Sequence, residues 1–551
     1  MLSNNADESI VMTPTPSQHL FSVWNGLCGN TVVCSGVTFQ SPAEIDKGAF
    51  SSAWSQWVTT SYEINISVDY RGEKPEPLVL TLDGRQPDEN CFRFINSELL
   101  APEQVIQEEL QTLLNAEMNT ANKNSHTLLV IKFSQHRYAV LLAVEHMLAD
   151  GLGVDVLLNR YLALLDQPGM DTLSARERYY QDKKHLDNYA AHKEISSSFT
   201  RQYAENILTK RFFWNPDNKS LMHRKGCYKT IQKSVPAATL QKINRHLTAH
   251  RISLFSWLTG CFVDSFLAYQ PALNELLLQI PTHGRKHNNQ SLDKNRVGCF
   301  AQAFLLPMQR KDHEEKPSAQ RFTDLQRYVL ECMGNEVDQL MARRNAVSIK
   351  ESLLPARLND DAFAIALRKS MPTNLYFSFY GATSLPLRHE SFDIDRYYLA
   401  TTNLSGALDV MIIQYGESLE VSFNYDSLFF EEETIARLAE CFGQQLENVM
   451  SSAADIDIKR SASPADRVMH SILIDCINKY SLEPAGESDG ELHLEIDLGL
   501  DSLLKTRVLV DFMARARCPA QAIDREKFYS AVTLMELFNV VSTQPQAEQI
   551  F

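Results

Sequence analysis

The hexapeptide His146-Met147-Leu148-Ala149-Asp150-Gly151 combines an imidazole, a carboxylate four residues on and a glycine beside it. An unperturbed imidazole titrates near pH 6.5, so it can take a proton at neutral pH. Taken alone, the same residues also describe a histidine that only satisfies a strand end. A second chemical candidate is Ser502, in Leu498-Gly499-Leu500-Asp501-Ser502-Leu503. It reads as a serine at a helix N-terminus, either a plain cap or an exposed hydroxyl open to modification. A third is Arg285, in Thr282-His283-Gly284-Arg285, whose residue type alone describes an ordinary surface arginine.

The elements around these residues are legible from periodicity. Two apolar runs, Thr127 to Phe133 and Tyr138 to Val144, flank a polar break at Ser134 to Arg137, as in two strands joined by a turn. Leu152, Val156, Leu157, Tyr161 and Leu164 then recur close to the helical period. His146 therefore belongs where a buried strand ends and a helix begins. From Pro236 the pattern restarts, as a degenerate internal repeat would: Leu240, Ile243 and Leu247, then Leu254 to Tyr269, give two helices, and Glu275 to Ile280 a strand leading to Arg285. Asn374 to Gly381 and Val421 to Asp426 read as strands. Glu431 to Met450 reads as an amphipathic helix whose first-turn glutamates suit the helix dipole. Ser451 to Pro464 is poor in apolar residues and reads as a linker. Beyond it, Arg467 to Tyr480 forms a helix with Val468, Ile472 and Cys476 on one face. A second helix runs from Ser502 to about Arg515, with Leu504, Val508 and Phe512 on its apolar side.

A chain of 551 residues exceeds one core and divides into domains or lobes. Apolar residues at 44% and charged ones at 22% are those of a globular protein, and a net charge of -15 argues against a nucleic-acid partner. Ten cysteines scattered from Cys28 to Cys518 form no C-x-x-C pair, so neither a disulfide framework nor a metal site is expected. Ser3 to Glu8 is too polar for a signal peptide, and the apolar stretch Ile252 to Val263 is too short to span a bilayer. The expected location is the cytoplasm.

The H-x-x-x-D-G pattern resembles the active-site motif of the chloramphenicol-acetyltransferase-like superfamily, most closely the condensation domains of nonribosomal peptide synthetases. Further stretches resemble that family in order: Thr15 to Trp24 with Gln18, Asp187-Asn188-Tyr189-Ala190-Ala191 before Phe212-Phe213-Trp214, and Gly284-Arg285. Val297-Gly298-Cys299-Phe300-Ala301-Gln302 and Phe423-Asn424-Tyr425-Asp426 complete the series. The likeness covers about residues 15 to 450. Glu145 stands where such domains usually carry a first histidine, Gln302 where asparagine is usual, and the His-x-x-Leu-Arg stretch near the N-terminus is missing. The Leu-Gly-Leu-Asp-Ser-Leu string closely resembles the 4'-phosphopantetheine attachment site of acyl carrier proteins.

These resemblances imply a two-lobed α/β fold of the chloramphenicol-acetyltransferase-like type, a pseudo-dimer, followed by a small all-α four-helix carrier domain. The implied division is 1–185 and 186–450 for the lobes, 451–464 for the linker and 465–545 for the carrier. His146 would be base or positioning group, and the Gly151 amide would lie near the oxyanion. Asp150 would be structural, in an ion pair with Arg285, and Ser502 would carry phosphopantetheine. The implied activity joins an amine or hydroxyl to a carrier-bound acyl thioester, as an amide or ester, in a natural-product pathway of the peptide-synthetase or polyketide kind. Implied partners are carrier proteins or synthetase modules in trans, a phosphopantetheinyl transferase and a small-molecule acceptor. Alternatives on the same fold are a coenzyme-A-dependent acyltransferase and a degenerate domain kept as a recruitment scaffold.

Overall fold

The computed structural model describes residues 10–12, 14–15, 17–18, 20–21, 31–69, 79–82, 88–98, 100–118, 125–170, 173–189, 197–214, 226–250, 252–287, 290–291, 296–348, 351–352, 362, 366, 371–402 and 406–448, and, towards the C-terminus, 464–481, 485, 494, 500, 502–516, 523, 525–531 and 534–542. In chain order, the strands of its two main sheets are β1 (Val32–Gln40), β2 (Phe92–Asn96), β3 (His126–Lys132), β4 (Arg137–Glu145), β5 (Tyr228–Val235), β6 (Glu275–His283), β7 (Ala301–Gln309), β8 (Leu375–Ala382), β9 (Asp393–Thr401), β10 (Leu408–Tyr415) and β11 (Ser418–Asp426). The first sheet has the order β9-β1-β4-β3-β2 and the second β7-β6-β8-β10-β11-β5. The two sheets make this a mixed α/β fold of two lobes. Strand β9, from far along the chain, completes the first sheet by pairing antiparallel with β1, Tyr397 opposite Val37.

Strand β4 shows why the segment that begins at His146 starts from a rigid base. Val140, Leu142 and Val144 join the large core on one face, while Ala139, Leu141 and Ala143 join a second core on the other. A strand covered on both faces reads as an unbroken apolar run. Its partner β3 lies antiparallel, with Val130 opposite Val140, through the turn expected at Ser134 to Arg137.

Helices α1 (Lys47–Thr60) and α2 (Gly151–Asp166) cover the first face, and the Trp57 indole donates to the Leu157 carbonyl at 3.0 Å. In the second lobe, α3 (Leu254–Tyr269) is buried on nearly all sides. Helices α4 (Ser318–Gly334), α5 (Val337–Ser348) and α6 (Glu432–Asn448) surround the sheet. Trp214, of the expected aromatic triplet, wedges between Phe266 and Phe430 at centroid distances of 4.9 and 4.8 Å.

The linker expected at 451–464 lies outside the described residues except for Pro464. After it come α7 (Pro464–Asn478), α8 (Ser502–Arg515), α9 (Arg525–Ser530) and α10 (Leu534–Ser542), around a core that includes Leu473, Ile477, Val508, Phe512, Phe528 and Leu537. Helix α8 lies against α4: Leu330 packs on this core, and Arg507 reaches to 3.7 Å from the buried Asp338. No helix among the described residues is long and apolar enough to cross a membrane.

Candidate active site

His146 follows the last residue of β4 and Asp150 caps α2, so four residues turn the chain from strand to helix. The His146 amide donates to the Thr31 carbonyl at 2.7 Å, and the Asp150 Oδ1 accepts from the Gly153 amide at 2.8 Å. Met147, Leu148 and Ala149 fill the turn with buried apolar side chains.

Arg285 enters from the second lobe, just past the end of β6. It is 1% exposed, and its two terminal nitrogens each donate to one Asp150 oxygen at 2.7 Å. The expectation of a surface arginine from residue type alone fails here, because the partner lies 135 positions away and periodicity cannot reveal it. The guanidinium also donates to the Arg296 carbonyl at 3.2–3.3 Å and lies 5.0 Å from the Phe300 ring centroid. Asp150 further accepts from the Phe300 amide at 3.0 Å, while its own amide donates to the Gly298 carbonyl. Burial works to raise the Asp150 pKa, but the Arg285 charge and these hydrogen bonds outweigh it and hold the carboxyl below its usual range.

His146 is half-buried and lines a cavity of about 1110 Å³, part of which is open to solvent. Phe21 stacks on the imidazole, 3.8 Å between centroids and 9° from parallel. The segment before Phe21 is fastened across the second lobe, with Thr15 Oγ1 donating to the Cys299 carbonyl at 2.7 Å and Ser17 Oγ to the Ala301 carbonyl at 2.6 Å. The Cys299 sulfur lies 3.8 Å from Nδ1 of His146. Desolvation lowers the His146 pKa to about 4, with its own backbone carbonyl and Asp150 opposing weakly. At neutral pH the ring is uncharged, and a neutral imidazole keeps one ring nitrogen able to accept a proton.

Gly151 opens α2 on the cavity wall. A Cβ there would lie 2.2 Å from the Tyr380 ring and 2.8 Å from its hydroxyl, so only glycine permits this approach. The sequence reading missed Phe21, Tyr376, Tyr380 and Asp409, which all line the cavity. One signal was available: strand β8 carries Tyr376, Ser378 and Tyr380 at alternate positions, with apolar Leu375, Phe377 and Phe379 between them. Gln302 also lines the cavity, whereas Glu145 is wholly buried and is not among the lining residues.

Ser502 is the first residue of α8; its side chain and most of the loop before it lie outside the described residues. So do Ala190, Ala191 and the side chains of Asp187, Asn188 and Tyr189. No group of three or more possible metal ligands occurs among the described residues.

Residues 34–459 match the condensation domain family. The chain belongs to that family. Condensation domains are acyltransferases, so the chain is an acyltransferase by family. Among solved structures, the first condensation domain of the calcium-dependent antibiotic synthetase, in complex with a substrate analogue, is similar over 82% of this chain and 100% of its own, with TM-score 0.60 at 11% identity. A trichothecene 15-O-acetyltransferase from Fusarium sporotrichioides is similar over 82% and 97%, with TM-score 0.56 at 11% identity. The epimerization domain from the third module of tyrocidine synthetase B is similar over 81% and 99%, with TM-score 0.51 at 16% identity. At these identities the likeness is one of fold. Comparison with curated protein sequences returned no match.

Proposed function

We propose that this condensation domain joins an amine or hydroxyl acceptor to a carrier-bound acyl thioester, with His146 as the base. The observation that carries the reading is the neutral imidazole at the cavity wall, set on a turn that Arg285 locks through Asp150. As the nucleophile bonds to the thioester carbonyl, its proton passes to the unprotonated ring nitrogen of His146. Collapse of the tetrahedral intermediate breaks the carbon–sulfur bond, and the imidazolium returns the proton to the departing sulfur. In this reading the Gly151 amide, at the N-terminus of α2, favours negative charge on the carbonyl oxygen.

The helical unit after residue 464 serves in this reading as the chain's own carrier, with 4'-phosphopantetheine on Ser502. The residues fit such a group: α8 begins at Ser502, and the first N–H groups of a helix lack intrahelical partners and suit a phosphodiester. The arm tethers the acceptor when bound. Donor carriers or synthetase modules act in trans, a phosphopantetheinyl transferase modifies Ser502, and the setting is the cytoplasm. Intact-mass analysis of the full chain after exposure to a phosphopantetheinyl transferase tests the carrier assignment. Mass gain in the native chain but not in Ser502→Ala is expected; no gain in either overturns it.

A further inference from the structure

We infer that the cavity holds a carboxamide subsite formed by Gln279 and Tyr376, and that the substrate carries a neutral amide set back from the reacting carbonyl. This rests on the acyl-transfer reading above and names a group on its substrate.

Strand register brings the subsite together. Gln279 of β6 is the parallel partner of Tyr376 in β8, on neighbouring strands about 4.8 Å apart, and both residues line the cavity. Gln279 is 9% exposed and Tyr376 4%, yet nothing among the described residues hydrogen-bonds the Gln279 amide or the Tyr376 hydroxyl. Burial and the nearby Asp409 charge push the Tyr376 phenol up, so it stays protonated and keeps its hydrogen to donate. Polar groups withdrawn from bulk water and left unpaired are costly, so two of them side by side select a ligand that pairs with both.

The pair lies away from the reacting atoms. Strands β6 and β8 both run towards α2: Arg285, past the end of β6, reaches Asp150, and Tyr380 lies against Gly151. Gln279 stands four residues before His283 and Tyr376 four before Tyr380, which sets the pair back about 13 Å along the sheet. Both are more deeply withdrawn than His146. A carrier's arm enters from solvent and ends at the thioester beside His146, so a group held in this recess belongs to the acyl chain or the acceptor and not to the arm. The glutamine side chain donates and accepts side by side, and a carboxamide answers it with a reciprocal pair of hydrogen bonds while keeping capacity for the phenol. A hydroxyl has a single hydrogen and meets only part of this demand. A carboxylate has none, and the lining includes neither lysine nor arginine to hold its charge.

The experiment uses the full chain and probes of matched size: hexanamide, its methyl-ketone isostere 2-heptanone, 1-hexanol, hexanoate and free pantetheine. Equilibrium binding is read by ligand-observed NMR on wild-type, His146→Ala, Gln279→Leu and Tyr376→Phe proteins, so no turnover is needed. Hexanamide should bind wild type and His146→Ala at least about tenfold more tightly than 2-heptanone, and hexanoate most weakly. Gln279→Leu and Tyr376→Phe should each reduce that preference while binding 2-heptanone at least as well as wild type, which also shows that their cavity is intact. No binding of hexanamide to wild type, no preference over the ketone or the alcohol, an undiminished preference in both variants, or pantetheine binding that depends on Gln279 would overturn the subsite. Acyl transfer is measured in parallel with two pairs of reactants. N-acetylcysteamine thioesters of 10-amino-10-oxodecanoate and 10-oxoundecanoate are offered to butylamine, and 9-aminononanamide and nonylamine are offered to the octanoyl thioester. A carboxamide preference in the first pair places the group on the acyl chain, and in the second on the acceptor; transfer with no preference in either overturns the subsite. Amide-selective binding without any transfer leaves the subsite standing and counts against the acyl-transfer reading instead.

Discussion

Asp150 and Arg285 form a two-point contact, both guanidinium nitrogens at 2.7 Å from the two carboxylate oxygens, and this contact ties the end of β6 to the start of α2. Both side chains are almost fully withdrawn from water. Arg285→Ala leaves a buried carboxylate unpaired and should cost about 3–5 kcal/mol. Arg285→Lys should also destabilise, since an ammonium cannot donate in parallel to both oxygens. Denaturant unfolding of each variant, with Asp150→Asn and the double variant, checks this. Additive losses would show that the two groups do not act as a pair.

Phe21 and the imidazole share a face, and burial between them keeps His146 uncharged. Phe21→Ala should therefore raise the His146 pKa from about 4 towards the unperturbed value near 6.5. Histidine ring shifts followed by NMR against pH read this directly. An unchanged titration would place the source of desolvation elsewhere.

The turn from His146 to Asp150 was legible because its neighbours are regular. An apolar strand, a capping aspartate and a helix with a four-residue apolar repeat leave His146 one place to stand. Phe21 and Asp409, which also line the cavity, were not legible in the same way. Phe21 reaches His146 through contacts from Thr15 and Ser17 to Cys299 and Ala301, which are 284 positions away and have no local period. Asp409 stands in a strand whose other residues are mostly apolar, and only the pairing of β10 with β8 brings it to the cavity. Strand β9 joins the first sheet across more than 350 residues, a pairing that alternation within β9 itself cannot announce.

His126 makes a separate expectation about acid stability. It is wholly buried, accepts from the Trp54 indole at 3.4 Å, and desolvation lowers its pKa to about 3. The unfolded chain takes up a proton near pH 6.5 that the folded chain refuses until about pH 3. Stability therefore falls as pH drops through this window, and His146 adds the same sign down to about pH 4. His126→Phe should flatten the loss between pH 7 and pH 5, measured by urea unfolding at each pH. An equal slope in the variant would contradict the assignment.

The most direct test of His146 as the base is the single-turnover rate of acyl transfer by His146→Ala against wild type, on protein whose Ser502 loading is verified by intact mass. The expected result is a rate lower by roughly 10²–10⁴-fold with Ser502 still modified, the wild-type rate holding through pH 6 and falling only as the ring protonates near pH 4. Full turnover by His146→Ala would contradict it.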